Sequence, residues 1–323
     1  MQTVNWKEDF LRLYTSEKVD DYGEALDLKR KHIPTKLYRY RPLDNKSMAF
    51  RMGEIVRGEL YLSHPKDLND PFEVSSLLHS SNPSDYLHAK EEFVKTFEGR
   101  MDPDTYSRIF SKENFFDELM DFAAENSILT EPTLDIKKVL TEVIMSEFAK
   151  LNSYINTRFR NSLRFACFST TGINLPMWHH YTNGHSGICL EFDTNKIQNI
   201  YQLNMLFPVY YVEKLPDMTH MMVQRTHPRF STIKYQAIHK LKDWSYENEW
   251  RLIFDPGAWY YSEEDIPDEY WNQGKTIQFI KPSRVLLGMN ILPEHEETVR
   301  EYAQLAGIPA TKTKKTEYGL QIE

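Results

Sequence analysis

Asp243-Trp244-Ser245-Tyr246-Glu247-Asn248-Glu249-Trp250-Arg251-Leu252-Ile253-Phe254 opens with polar, turn-compatible residues and closes with Trp250, Leu252 and Phe254 alternating with Arg251 and Ile253. That period of two is the mark of a strand with one face on a core. Residues two apart on a strand share a face, which puts Glu247 and Glu249 together at its mouth. Two carboxylates so placed repel each other, and one pKa rises unless a cation lies between them. One purpose of such a pair is to stabilise a cationic, sugar-like transition state. The plainer one is a salt bridge to Lys242 or Arg251 at a strand end.

Working outward, Leu163-Arg164-Phe165-Ala166-Cys167-Phe168-Ser169 and Gly187-Ile188-Cys189-Leu190-Glu191-Phe192 read as two further strands. Between them, Trp178, His179, His180, Tyr181 and His185 crowd aromatic rings and imidazoles into one loop, able to stack on a flat ring and hydrogen-bond a ribose. A packed loop with satisfied histidines is the bland alternative. Zinc is disfavoured, because His179, His180 and His185 lack a ligand-spacing motif and no cysteine pair accompanies them.

Upstream, Leu37-Tyr38-Arg39-Tyr40-Arg41-Pro42 predicts a short strand stopped by proline, with Tyr38 and Tyr40 on one face and Arg39 and Arg41 on the other. Two arginines on one face can hold a diphosphate through their forked donors, or simply face solvent. Residues 46–56 predict a helix ending near Gly58, and Glu59-Leu60-Tyr61-Leu62-Ser63 a returning strand. In His64-Pro65-Lys66-Asp67-Leu68-Asn69-Asp70-Pro71-Phe72-Glu73, the Asn69-Asp70-Pro71 run is a turn signal, and Asn69 and Asp70 can also reach into a cleft. Two short helices precede these elements. Helical periods carried by Phe93, Phe97, Phe115, Leu119, Val139, Val143 and Phe148 mark a helical insertion. Downstream, Val209-Tyr210-Tyr211-Val212, Trp259-Tyr260-Tyr261, Thr276–Ile280 and Arg284–Gly288 read as strands, Phe230 to Leu241 as an amphipathic helix, and Pro293 to Ala306 as a helix closed by Gly307. The expected organisation is N-terminal helices over 1–35, a first part of an α+β domain over 36–82, a helical insertion over 83–162 and the remainder of the α+β domain over 163–323.

Composition bounds the function. The 323 residues are 41% hydrophobic and 13% aromatic, which fits a folded chain able to bury a full core. Lys and Arg total 39 against 47 Asp and Glu, a net charge of −8 that disfavours wholesale binding of nucleic acid or anionic membrane. With two cysteines, a first segment lacking a signal-peptide pattern and no membrane-spanning run, the expectation is a cytoplasmic protein without a disulfide scaffold. There is no Walker loop and no GxGxxG.

Taken together, Leu37–Arg41, Asn69-Asp70-Pro71-Phe72-Glu73, Cys167-Phe168-Ser169, Met177-Trp178-His179-His180-Tyr181 and Trp244–Arg251 resemble the bacterial domain of unknown function 2971 family over roughly residues 36–290. A second resemblance carries chemistry. An arginine on an early strand, Ser169-Thr170-Thr171 on a middle one and Glu247-x-Glu249 leading into a late one is similar to the ordered signature of ADP-ribosyltransferases. It implies a split, two-layer, mainly antiparallel sheet with a helical insertion, NAD as substrate and no metal. In this sequence it implies that Arg41 or Arg39 holds NAD, Ser169 supports the nicotinamide ribose, Glu249 stabilises the oxocarbenium-like transition state and Glu247 orients the acceptor. Tyr40, Asn69, Asp70 and Arg251 join the cofactor-binding set, Trp178 or Tyr181 stacks on nicotinamide, and His180 bonds ribose or phosphate. The reading is an ADP-ribosyltransferase acting on protein or nucleic acid, a bacterial toxin or antiphage effector with an antitoxin or chaperone as a further partner. For a nucleic-acid acceptor, contacts would come from a local patch of Lys234, Lys240 and Lys242. The rivals are a non-enzymatic nucleotide or phage-protein sensor, and a metal-independent nuclease using His180 with Glu249 as acid and base.

Overall fold

A computed structural model describes residues 5–16, 18–74, 102–112, 114–126, 133–218, 234–255 and 274–323. The chain divides into two compact units, one formed by Met1–Val74, Arg160–Lys214 and Ala237–Glu323, the other by Ser75–Phe159 and Leu215–Gln236. The second unit therefore draws on two stretches of chain, where the sequence pattern suggested a single insertion.

Among the described residues, the first unit has twelve strands: β1 (Lys36–Arg41), β2 (Glu59–Leu62), β3 (Arg164–Ser169), β4 (Ile188–Asp193), β5 (Leu206–Pro208), β6 (Tyr210–Val212), β7 (His239–Leu241), β8 (Glu249–Phe254), β9 (Lys275–Gln278), β10 (Arg284–Leu287), β11 (Ala310–Thr316) and β12 (Gly319–Ile322). Eight form one sheet in the order β12-β11-β10-β4-β1-β3-β8-β5, and β2/β9 and β6/β7 form two small pairs. Neighbours in the large sheet run antiparallel except β10 and β11, so the fold is mixed α+β with a mostly antiparallel sheet. The parallel pair needs a crossover, and the helix Pro293–Ala306 supplies it, opened by Pro293 and closed by Gly307 in the left-handed region (φ 68°). β4 lies inside the sheet and buries both faces, which explains why Ile-Cys-Leu-Glu-Phe shows no clean alternation.

Leu37, Ala166, Phe168, Leu190, Phe192, Trp250, Leu252, Val285 and Leu287 build the main core on one face of the sheet. Tyr40, Trp178, Cys189, Leu286 and Leu320 cluster on the other. The N-terminal helices Trp6–Tyr14 and Val19–Arg30 are tied down by Lys29, whose ammonium donates to the carbonyls of Leu203, Asn204 and Leu206 at 3.2, 2.6 and 2.6 Å. Those carbonyls belong to the end of the helix Ile200–Met205 and the residue after it, which would otherwise lack acceptor partners.

β1 and β3 pair in register only at Tyr38 and Ser169. β1 is otherwise zipped to β4 along its whole length, and β3 to β8. The large sheet is thus loosely joined at its middle, between β1 and β3.

Several elements depart from the sequence expectation. Of the helix expected over Phe230 to Leu241, residues 234–237 are helical, and His239–Leu241 instead forms β7, paired in parallel with β6. β5, β11 and β12 had no signal strong enough to mark them. Trp259-Tyr260-Tyr261, Phe93 and Phe97 lie outside the described residues.

In the second unit, the helix Pro103–Phe110 starts at Asp102, whose carboxylate accepts from Thr105 N, and packs on the helix Phe115–Glu125 through Ile109, Phe110, Phe115, Phe116, Leu119 and Met120. Val139, Leu140 and Val143 on the helix Thr133–Ser162 are exposed, although their spacing suggested core. Among the described residues, no helix is long and apolar enough to cross a membrane.

Candidate functional site

Where β1 and β3 separate, a cavity of about 130 Å³ opens in the first unit, lined by Arg39, Arg41, Cys167, Tyr181, Lys240, Glu247 and Glu249 among others. Register shows how it collects side chains from both faces of the sheet. Tyr38, Ser169 and Glu249 stand opposite one another across three strands and share a face, while Arg39 and Arg41 leave β1 on the other. Both sets reach the gap.

One wall is cationic. Arg41 and Arg51 both pair with Glu54, which sits on the wide, π-helical turn Gly53–Arg57. Arg39, only 4% exposed, donates from Nη2 to the Tyr61 carbonyl at 2.6 Å and lies 5.8 Å from the centre of the Phe168 ring. Its Nη1 has no hydrogen-bond partner among the described residues. Burial, then the charge of Arg41, push the Arg39 guanidinium well below its ordinary value. Arg39 and Arg41 line the cavity, and the one buried carboxylate near them, Glu54, is shared between Arg41 and Arg51 outside the lining, which leaves this wall with unspent positive charge.

The other wall is acidic. Glu247 ends the 3-10 turn Lys242–Glu247, Asn248 turns the backbone through the left-handed region (φ 46°), and Glu249 begins β8. The two glutamates therefore meet through a turn and a strand, not through strand alternation alone. The cation between them is Lys240, with Nζ 2.6 Å from Glu247 and 3.4 Å from Glu249. Arg251, fully buried, grips Glu249 with Nε at 2.9 Å and Nη2 at 3.0 Å. Its other edge holds Glu73 through Nη1 and, at 3.1 Å, Nη2, and Nη1 also donates to the Ala237 carbonyl. All five guanidinium donors are thereby used. Glu247 accepts from the Tyr181 phenol, whose oxygen receives Asn69 Nδ2 at 3.1 Å.

These surroundings split the two carboxyls. Burial, then the charge of Glu249, raise Glu247 above the usual carboxylate range. Burial would raise Glu249 too, but Arg251 and Lys240 outweigh it and hold that group at about 2. Lys240 is raised because the glutamates overcome its burial, so it stays charged.

The expected site residues separate into those that line the cavity and those that do not. Arg39, Arg41, Tyr40, Asn69, Ser169, Tyr181, Glu247 and Glu249 line it. Arg251 lies behind Glu249 as its ion partner. Trp178 is wholly buried in the second core cluster, with Nε1 donating to the Gly172 carbonyl at 2.8 Å, and is no stacking platform. His180 is exposed and outside the lining, its ring 6.3 Å from that of Tyr246. Asp70 accepts Phe72 N at 2.9 Å, shaping the turn that presents Glu73. Ser169 donates to the Glu247 carbonyl at 2.7 Å, so its hydroxyl steadies the glutamate turn. Of the lysines expected as a basic patch, Lys240 is buried in the acidic wall and Lys242 pairs with Glu213 at 2.5 Å. Glu54, Glu73 and Lys240 as a site residue went unrecognised. Glu73 closes the Asn69-Asp70-Pro71-Phe72-Glu73 turn, and nothing local in the sequence pairs it with Arg251, 178 positions away.

The sequence model of a family described as "Protein of unknown function (DUF2971)" matches residues 177–252. That span contains the Met177–Tyr181 and Trp244–Arg251 words, and over it the resemblance to this family stands. Leu37–Arg41, Asn69–Glu73 and Cys167–Ser169 lie outside it. No curated protein and no solved structure matches the chain. Among the described residues, no group of three or more His, Cys, Asp or Glu is arranged to hold a metal ion.

Proposed function

We propose that the cavity receives the nicotinamide-ribosyl end of NAD and that the chain transfers ADP-ribose to a macromolecule, on a fold of the ADP-ribosyltransferase type. The observation that carries the reading is the convergence of three separated words, Arg39 with Arg41, Ser169, and Glu247 with Glu249, on one cavity. Its walls suit the two ends of that ligand. The two lining guanidiniums of Arg39 and Arg41 favour the diphosphate, and three carboxylates against Lys240 and Arg251 favour the positive charge that builds on the ribose.

In the reaction the bond from ribose C1′ to the nicotinamide nitrogen breaks, nicotinamide leaves with the electron pair, and an acceptor oxygen or nitrogen bonds to C1′ while losing its proton. A cavity of about 130 Å³ encloses one moiety, whereas sites that swallow a whole ligand run to ~300–1,000 Å³, so the adenylate end would lie outside it. With Lys240 and Lys242 paired, a protein acceptor is favoured over nucleic acid. An activity of this kind suits a cytoplasmic toxin or antiphage effector held in check by an antitoxin or chaperone.

A non-enzymatic nucleotide sensor is the second reading, favoured by the double cationic grip on Glu249, which spends much of its charge before any ligand arrives. The nuclease reading required His180 beside Glu249, and His180 lies outside the cavity lining. The deciding experiment incubates labelled NAD and a cell extract with wild type and Glu247→Gln. Label on a macromolecule with the wild type alone establishes transfer. Saturable NAD binding without nicotinamide release establishes the sensor.

A further inference from the structure

The acidic wall contains more charge than a single catalytic carboxylate needs, and its connections are unequal. Both oxygens of Glu249 accept guanidinium N–H bonds from Arg251, and Lys240 adds a third cationic contact. Glu247 has one ammonium, that of Lys240, and one neutral phenol, that of Tyr181. Protonating Glu249 would break bonds to two cations, while protonating Glu247 disturbs one cation and a rotatable hydroxyl.

Arg251 is held on Glu249 from behind. Glu73 takes the opposite edge of the guanidinium, and the Ala237 carbonyl takes the remaining donor. A planar fork with five fixed donors has no other way to turn once all five are engaged. The remaining groups facing Glu247 are Tyr246 beside it and Tyr211 from β6. Burial raises Tyr181, Tyr211 and Tyr246, so these phenols stay neutral, and Lys240 stays charged.

We propose that Glu73 is a positioning residue for the cavity: by holding the far edge of Arg251 it keeps Arg251 clamped on Glu249, and so leaves Glu247 as the carboxyl that exchanges a proton with a bound molecule. The assignment rests on the transfer reading for its purpose. There, the proton lost by the acceptor as it bonds to C1′ passes to Glu247 and then to solvent. Glu73 itself need touch no ligand.

The test uses no NAD, so its outcome is separate from that of the labelling experiment. The full-length protein is prepared with carboxyl-labelled glutamate, and the resonances of Glu247 and Glu249, assigned through the Glu247→Gln and Glu249→Gln variants, are followed against pH. In wild type, Glu247 takes up its proton at higher pH than Glu249. In Glu73→Gln, Arg251 loses its far-edge partner and holds Glu249 less firmly, so the Glu249 midpoint rises and the gap between the two glutamates narrows, whereas loss of a negative charge alone would lower both midpoints. A Glu73→Gln protein that loses thermal stability but keeps the gap between the Glu247 and Glu249 midpoints assigns Glu73 a purely architectural part and overturns the proposal. Should Glu73→Gln not fold, Glu73→Asp, which keeps the charge but shortens the reach to Arg251, takes its place: an unchanged gap there, or a wild-type Glu249 that protonates at higher pH than Glu247, overturns the proposal equally.

Discussion

Glu73 and Arg251, 178 positions apart, meet in a two-pronged ion pair from which solvent is excluded. Removing one member strands the other charge in a low-dielectric interior, which costs roughly 3–5 kcal/mol. Arg251→Ala and Glu73→Ala should each lose stability on that scale in urea denaturation. The double variant should lose less than the sum, because the second deletion removes a charge that the first left unpaired.

The two glutamates give stability opposite dependences on pH. Glu249 titrates at about 2 in the folded chain against 4.5 unfolded, so the unfolded state binds its proton first. Its contribution is present above pH 4.5 and is lost as pH falls toward 2, on the order of 3 kcal/mol. Glu247 is raised, so its contribution is present below 4.5 and is lost as pH rises through its folded value. Denaturation midpoints measured from acid to neutrality should lose part of their acid slope in Glu249→Gln. In Glu247→Gln the decline on the rising-pH side should shrink.

Arg39 separates binding from stability. With Nη1 unpartnered and no carboxylate of its own, the guanidinium contributes little to the ligand-free fold. Arg39→Met should unfold within about 1 kcal/mol of wild type, since it trades an under-compensated buried charge for apolar contact with Phe168. Calorimetric titration with ADP-ribose should show affinity reduced by about tenfold or more, the loss expected for a charge-assisted bond to phosphate.

Trp178 and Tyr181 share one helix and should respond in opposite ways. Trp178→Ala empties a fully buried position and should cost about 3–5 kcal/mol in thermal or chemical denaturation. Tyr181→Phe keeps the ring and removes only the hydroxyl on Glu247, so the fold should persist while label transfer from NAD falls.

How much of this was legible follows from the range of each signal. The β8 alternation could be read because burial of Trp250 and Leu252 imposes a local period, and the helix Pro293–Ala306 because its ends announce themselves. The face-sharing of Arg39 and Arg41 was equally local. Lys240 as the bridging cation was not, since its short strand borrows a partner from β6 and its own spacing reads as helix. Glu73 was missed for a related reason: a carboxylate closing a turn looks solvated until the residue across from it is known to be a buried arginine. Trp178 and Tyr181 were indistinguishable as aromatic residues in a crowded loop, and only the packing on Tyr40 tells core from cavity.

The single register contact between Tyr38 and Ser169 has a temporal side. The strand that bears Arg39 emerges early from the ribosome, yet its neighbours in the large sheet, β4 and β3, follow more than a hundred residues later, and β8 later still. Closure of such distant pairings is slow compared with local helix formation. During synthesis the guanidinium cluster and the paired carboxylates Glu247 and Glu249 therefore remain apart, and a nascent chain has no assembled cavity until β8 has been added.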